Sequence, residues 1–98
     1  MRFTIVLCPE ADGGYSVVCP AVPGCVSQGD SLDDALASIR EAILLCLEVR
    51  RHGGRPPPVE TPELIDEEVR ACLKDRAEEG LPPTVDTRVV EVEAEVAL

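Results

Sequence analysis

Gly13-Gly14-Tyr15, Pro20-Ala21-Val22-Pro23-Gly24-Cys25 and Gly29-Asp30-Ser31 all fall within residues 13–42, where they punctuate short apolar runs leading into a periodic helix. The glycine pair supplies the positive φ that a tight hairpin turn requires. Each proline fixes its own φ and removes a ladder donor, so Pro20 and Pro23 bracket an irregular corner that Gly24 can redirect. Asp30 or Ser31 can accept a bond from the orphan amides of the next helix. Ser31-x-x-Asp34 is a capping-box variant with Asp in place of Glu. These signals predict two strands, a turn and a capped helix that starts near Leu32.

Before this stretch, Phe3-Thr4-Ile5-Val6-Leu7 is short, rich in β-branched residues and stopped by Pro9, which reads as a largely buried strand. Tyr15 to Cys19 returns from the turn as its hairpin partner, and Gly24 to Gln28 reads as a third short strand. Leu32, Ala35, Leu36, Ile39, Ile43, Cys46 and Leu47 then recur at steps of three and four, one apolar stripe on a helix of roughly twenty residues. Asp33 and Asp34 in its first turn and Arg50-Arg51 in its last complement the helix dipole, and Gly53-Gly54 supplies a stop. Arg55-Pro56-Pro57-Pro58 is an extended connection. Thr61-Pro62 caps a second helix bearing Leu64, Ile65, Val69, Cys72 and Leu73, which Gly80 and Pro82-Pro83 end. From Thr87 to Leu98, Val90, Val92, Ala94, Val96 and Leu98 alternate with Glu91, Glu93 and Glu95, the pattern of a half-buried strand. The expected fold is α+β: an antiparallel sheet with β-β-β-α-α-β order and the helices packed on one face.

The chain has 98 residues, which suits a single domain, 1–98, small enough to gain from a partner subunit. It has one Phe, one Tyr and no Trp, so the core is aliphatic and base stacking on aromatic platforms has no basis. The net charge of −10 is uneven. Residues 1–58 hold five Arg against seven acids, whereas residues 59–98 hold three Arg and Lys74 against twelve acids. A surface of this sign repels nucleic acid and fits a basic protein partner. Five cysteines without a Cys-x-x-Cys pair read as small buried hydrophobes of a protein in a reducing cytoplasm. His52 stands alone beside Gly53-Gly54, so neither a metal site nor a Cys-His nucleophile is expected, and no cofactor is implied. No apolar run is long enough to cross a bilayer.

The order Phe3-Thr4-Ile5-Val6, an acid-rich turn, Gly14-Tyr15, Pro20-x-x-Pro23-Gly24-Cys25, Gly29-Asp30-Ser31, Asp34-Ala35 and Glu41-Ala42-Ile43 resembles the HicB-like antitoxins. Among them it is similar to the small stand-alone proteins that carry only the HicB N-terminal domain. The resemblance covers residues 1–52, with a weaker match in the last strand, and leaves 59–98 as an acidic helix plus terminal strand. It implies a truncated RNase H-like fold and binding rather than catalysis. Family members sequester HicA, a small basic ribonuclease toxin, and assemble as dimers or tetramers. Many also carry a ribbon-helix-helix or helix-turn-helix module. The acidic helix-then-strand order at the C-terminal end departs from that pattern, so direct nucleic-acid binding is not expected.

RNase H chemistry needs carboxylates converging from the sheet on two metal ions. Residues 2–8 hold no Asp or Glu, and Glu10, Asp12 and Asp30 fall in turns where capping and solvation account for them. No catalytic residue is expected. The leading reading is therefore an antitoxin-like module whose partner-binding residues are Tyr15, Pro23, Gly24, Cys25, Asp30, Asp33 and Asp34. A homo-oligomeric structural or regulatory domain without a toxin is the alternative. The third reading, an enzyme acting on a small molecule or RNA, finds neither a nucleophile-base pair nor a phosphate loop in the sequence.

Overall fold

Among the described residues, four strands and two helices form in the expected order: β1 (Arg2–Pro9), β2 (Tyr15–Val18), β3 (Val26–Gly29), α1 (Leu32–His52), α2 (Pro62–Glu78) and β4 (Asp86–Glu91). The computed structural model describes residues 1–93. Ala94, Val96 and Leu98 of the expected terminal strand lie outside the described residues. The strands pair antiparallel in the order β3-β2-β1-β4, so β1 is central and β4 lies along it with Phe3 opposite Val90.

The β1–β2 turn closes through Gly13 at φ +97°. The Gly14 amide donates to Asp12 Oδ1 at 3.0 Å, an Asx turn that explains the acid at this position. Ser31 caps α1 as its spacing predicts, its Oγ accepting from the Asp34 amide at 3.1 Å, and Gly53 follows the last turn. Thr61 caps α2, with Pro62 at its first position.

Alternation along β1 divides its side chains between the two faces of the sheet. Phe3, Ile5 and Leu7 join Val17, Ala35, Ile39, Ile43 and Val90 in one apolar cluster beneath α1. Each fully buried Ile or Leu contributes about 1.5–3 kcal/mol relative to exposure, so α1 is firmly docked. Val6 and Cys8 point the other way. Cys8 is joined there to Cys72 of α2 by a disulfide, with Cα atoms 7.0 Å apart. The expectation that both helices pack on one face is therefore corrected: α1 covers one face and α2 the opposite one. The physical reason is that β1 is apolar at consecutive positions, so its second row, too, needs cover from water.

α2 is held more thinly. Among the elements of the described residues it packs against β1 alone, and only Cys72 and Arg76 are buried along it. Arg76 donates from Nε to the Pro82 carbonyl at 2.6 Å and from Nη1 to the Pro9 carbonyl. Just before α2, Glu60 accepts from the Thr4 amide at 2.5 Å and from Thr4 Oγ1 at 3.0 Å. Along β1, β2 reaches only Val6–Pro9, so this carboxylate satisfies a β1 amide that the short neighbour strand leaves free.

The cysteines divide into two kinds. Cys19, Cys25 and Cys46 are free thiols and fit the reading of small hydrophobes, whereas Cys8 and Cys72 are bonded, which that reading did not foresee. Burial pushes the Cys19 thiol up to about 11; burial, with Cys46 and Cys19 beside it, pushes Cys25 up to about 12, against an ordinary value of 9.0. The unfolded chain releases these protons first, so stability is unaffected below the ordinary value and falls as pH rises from there toward the folded values. Urea midpoints measured at about pH 8 and about pH 10 are expected to drop at the higher pH, and Cys25→Ala to flatten that drop.

Candidate functional site

The β1–β2 turn, the end of β3 and the first turn of α1 meet at one end of the sheet. Register brings them together: Tyr15 pairs with Pro9 on one side and with Gly29 on the other. Two glycines permit the close approach. A Cβ on Gly14 would stand 2.9 Å from the Gly29 carbonyl oxygen, and one on Gly29 would stand 2.3 Å from the Ala35 nitrogen. The start of α1 is thus pressed directly onto the end of β3.

The result is an open cleft of about 340 Å³ lined by Glu10, Asp12, Gly14, Tyr15, Gln28, Gly29, Asp30 and Asp34. Four carboxylates edge it, and the described residues contribute no Lys or Arg to its lining. Such a concave surface of one sign focuses field toward an approaching cation. Among the described residues, no three His, Cys, Asp or Glu side chains are grouped so as to hold a metal ion.

The expected site residues separate into groups. Tyr15, Asp30 and Asp34 line the cleft, and Asp33 is exposed beside them in the first turn of α1. Pro23 and Gly24 are exposed at the far end of the β2–β3 hairpin, beyond the Val18–Val26 pair. Cys25 is 1% exposed and part of the core, so its side chain is not available at the surface. Glu10 and Asp12, explained from sequence as solvated turn acids, belong to the cleft. Their signal was the hairpin register, which places Asp30 beside the first turn once Tyr15 is set opposite Gly29.

Tyr15 serves two purposes. It is half-buried and packs against the core cluster while its other side lines the cleft. Tyr15→Ala is expected to destabilise the fold by about 1–2 kcal/mol, less than a fully buried aromatic would. A thermal melt checks this, and an unchanged curve would show that the ring packs against nothing that matters.

Residues 3–77 match the family described as HicB-like antitoxin of bacterial toxin-antitoxin system. The chain belongs to this family of HicB-like antitoxins. The match runs through almost all of α2, so the second helix is shared with the family rather than an addition to a motif ending at residue 52. A relative from Synechocystis, UPF0150 protein ssr1765, is 43% identical over 59 residues, covering 60% of this chain and 75% of that one. Among solved structures, the N-terminal domain of the Burkholderia pseudomallei antitoxin HicB superposes with a TM-score of 0.66 at 27% identity, covering 95% of this chain and 99% of that one. A chain from a HicA3 and HicB3 toxin-antitoxin complex shares the fold at 21% identity and a TM-score of 0.62, over 95% of this chain and 99% of that one. Among the described residues of this HicB-like chain, no helix is long and apolar enough to cross a membrane.

Proposed function

We propose that this HicB-like chain, acting as one domain over 1–98, binds and neutralises a small basic ribonuclease toxin of the HicA type. The observation that carries this reading is the family match over residues 3–77. A second support is that a protein of the same fold is described in complex with HicA3. The acidic cleft supplies a docking chemistry: Glu10, Asp12, Asp30 and Asp34 would face a basic surface, and Tyr15 in the same lining offers a ring and hydroxyl. Asp33 extends that surface. Pro23 and Gly24, at the other end of the hairpin, form a separate exposed corner for the same partner. Neutralisation then means covering the toxin's active site, a step that asks for no catalytic group or cofactor on this chain. A cytoplasmic setting fits a ribonuclease target.

A homo-oligomeric role is the second reading. It draws on Leu45 and Val49, one turn apart on α1 and 58% and 72% exposed, an apolar pair that a dimer or tetramer could cover.

Co-expression with the small basic protein encoded beside this chain, followed by affinity capture and an RNA-cleavage assay, tests the proposal. A stable complex that silences cleavage is expected. Within it, the double change Glu10→Gln with Asp30→Asn removes two cleft charges whose side chains make no hydrogen bond or ion pair among the described residues. It is expected to weaken binding about tenfold at low salt, with a shallower salt dependence. Absence of any complex, with self-association of the purified chain, would favour the homo-oligomeric reading.

A further inference from the structure

We propose that Cys8 and Cys72 form a reversible redox clamp that fixes α2 to the sheet. The two sulfurs are bonded across 64 positions, one at the end of the central strand and the other on the helix that covers that strand's second face. Both ends of α2 connect through proline-bearing segments, Arg55-Pro56-Pro57-Pro58 before it and Leu81-Pro82-Pro83 after it. Its apolar residues Leu64, Ile65, Val69 and Leu73 are only partly buried, and among the described residues it packs on no strand but β1. α1 carries three fully buried side chains into the core; α2 carries one buried cysteine and one buried arginine. Opening the bond therefore acts on the element with the least other attachment.

Access favours exchange at one sulfur. Cys8 is partly exposed, whereas Cys72 is 8% exposed beneath its own helix. A glutathione-type disulfide is the co-reactant. The Cys8 thiol loses its proton and its sulfur attacks one sulfur of that disulfide, whose S–S bond breaks; the first glutathione leaves as thiolate and takes up a proton. The Cys72 thiol then loses its proton and its sulfur displaces the second glutathione from Cys8, which leaves and is protonated in turn. Two protein thiols are oxidised to one disulfide while one glutathione disulfide is reduced to two thiols, and excess glutathione reverses both steps. The three other cysteines stay out of this chemistry: Cys19 and Cys25 are buried in the core, and Cys46 packs against it from α1.

The full chain equilibrated over a series of glutathione thiol-to-disulfide ratios, acid-quenched, alkylated and mapped by peptide mass spectrometry, tests the clamp. The expected product is a peptide pair joining Cys8 to Cys72, increasing with the oxidised fraction and lost on return to reductant. Hydrogen exchange on the two end states is expected to show α2 amides exchanging about tenfold or more faster when reduced, with α1 amides unchanged as the internal reference. Cys8→Ser and Cys72→Ala should each give the fast α2 pattern under both conditions. No cross-link at any ratio, a cross-link between other cysteines, or equal α2 exchange in the two states would overturn the proposal. The wild-type comparison decides it even where a variant folds poorly.

Discussion

Gly29→Ala is expected to cost about 3 kcal/mol, a fall in melting temperature of about 12–24 °C for a domain of this size. The cause is space, since Gly29 does not have positive φ. The new methyl would stand 2.3 Å from the Ala35 nitrogen, 2.7 Å from the Asp34 carbonyl carbon and 2.8 Å from the Ala35 Cα. All three are backbone atoms in the first turn of α1, and none can swing aside as a side-chain tip would. Either β3 retreats from β2 or the helix start lifts, and lifting exposes Ala35, which is completely buried. Gly24→Ala is the matched comparison: it has φ +78° and nothing within 4 Å of the added atom, so only backbone strain of about 1 kcal/mol applies. Thermal melts of the two variants separate crowding from conformation. Similar small losses in both would show that β3 and α1 are not in close contact.

Arg76→Met is expected to lose about 2–3 kcal/mol, read as a lower urea midpoint and faster exchange of α2 amides. Arg76 is 6% exposed, and both groups it serves are carbonyls, those of Pro9 and Pro82. Methionine keeps the bulk of the side chain and regains the desolvation cost of a buried guanidinium, which by itself favours the variant. The two carbonyls stay where they are, however, and each loses a charge-assisted donor that the apolar replacement cannot supply. That loss outweighs the gain because acceptors without partners are costlier than pairs removed together. Arg76→Lys should fall between the two, since an ammonium on a flexible stem reaches one carbonyl more readily than two held by a planar fork. A methionine variant as stable as the parent would mean that water takes over both carbonyls.

Much of the fold was legible because its signals are local. The Asp12-Gly13-Gly14 turn, the Ser31 and Thr61 caps and the three-and-four spacing of Ala35, Ile39 and Ile43 each fix a short piece of chain whatever surrounds it. The side on which α2 packs is not local. A helix with a moderate apolar stripe can lie on either face of a sheet, and the choice shows only in the strand beneath it. The unbroken run Ile5-Val6-Leu7 carried that information, because a central strand apolar at consecutive positions needs cover on both faces. The role of Arg76 was illegible for a similar reason: its partners lie 67 and 6 positions away, and nothing in a helix-period pattern separates a buried arginine from a solvated one. In the cleft, Tyr15, Asp30 and Asp34 were picked out one by one, yet their company with Glu10 and Asp12 follows from register. Pro23 and Gly24 were joined to them by nearness in sequence and are parted by the length of a strand.

Because β1 lies between β2 and β4, the order in which the sheet can be completed is fixed by synthesis. Val90 emerges 87 positions after its partner Phe3. At translation rates of about 5–20 residues per second, that interval lasts on the order of 4–17 s. For that time the hairpin and α1 can assemble while the outer edge of β1 from Arg2 to Leu7 has no strand beside it, an open template for any other extended chain nearby. The last strand closes that vulnerability. A nascent chain halted before Asp86 would retain it, and so would be drawn to aggregation or to a chaperone.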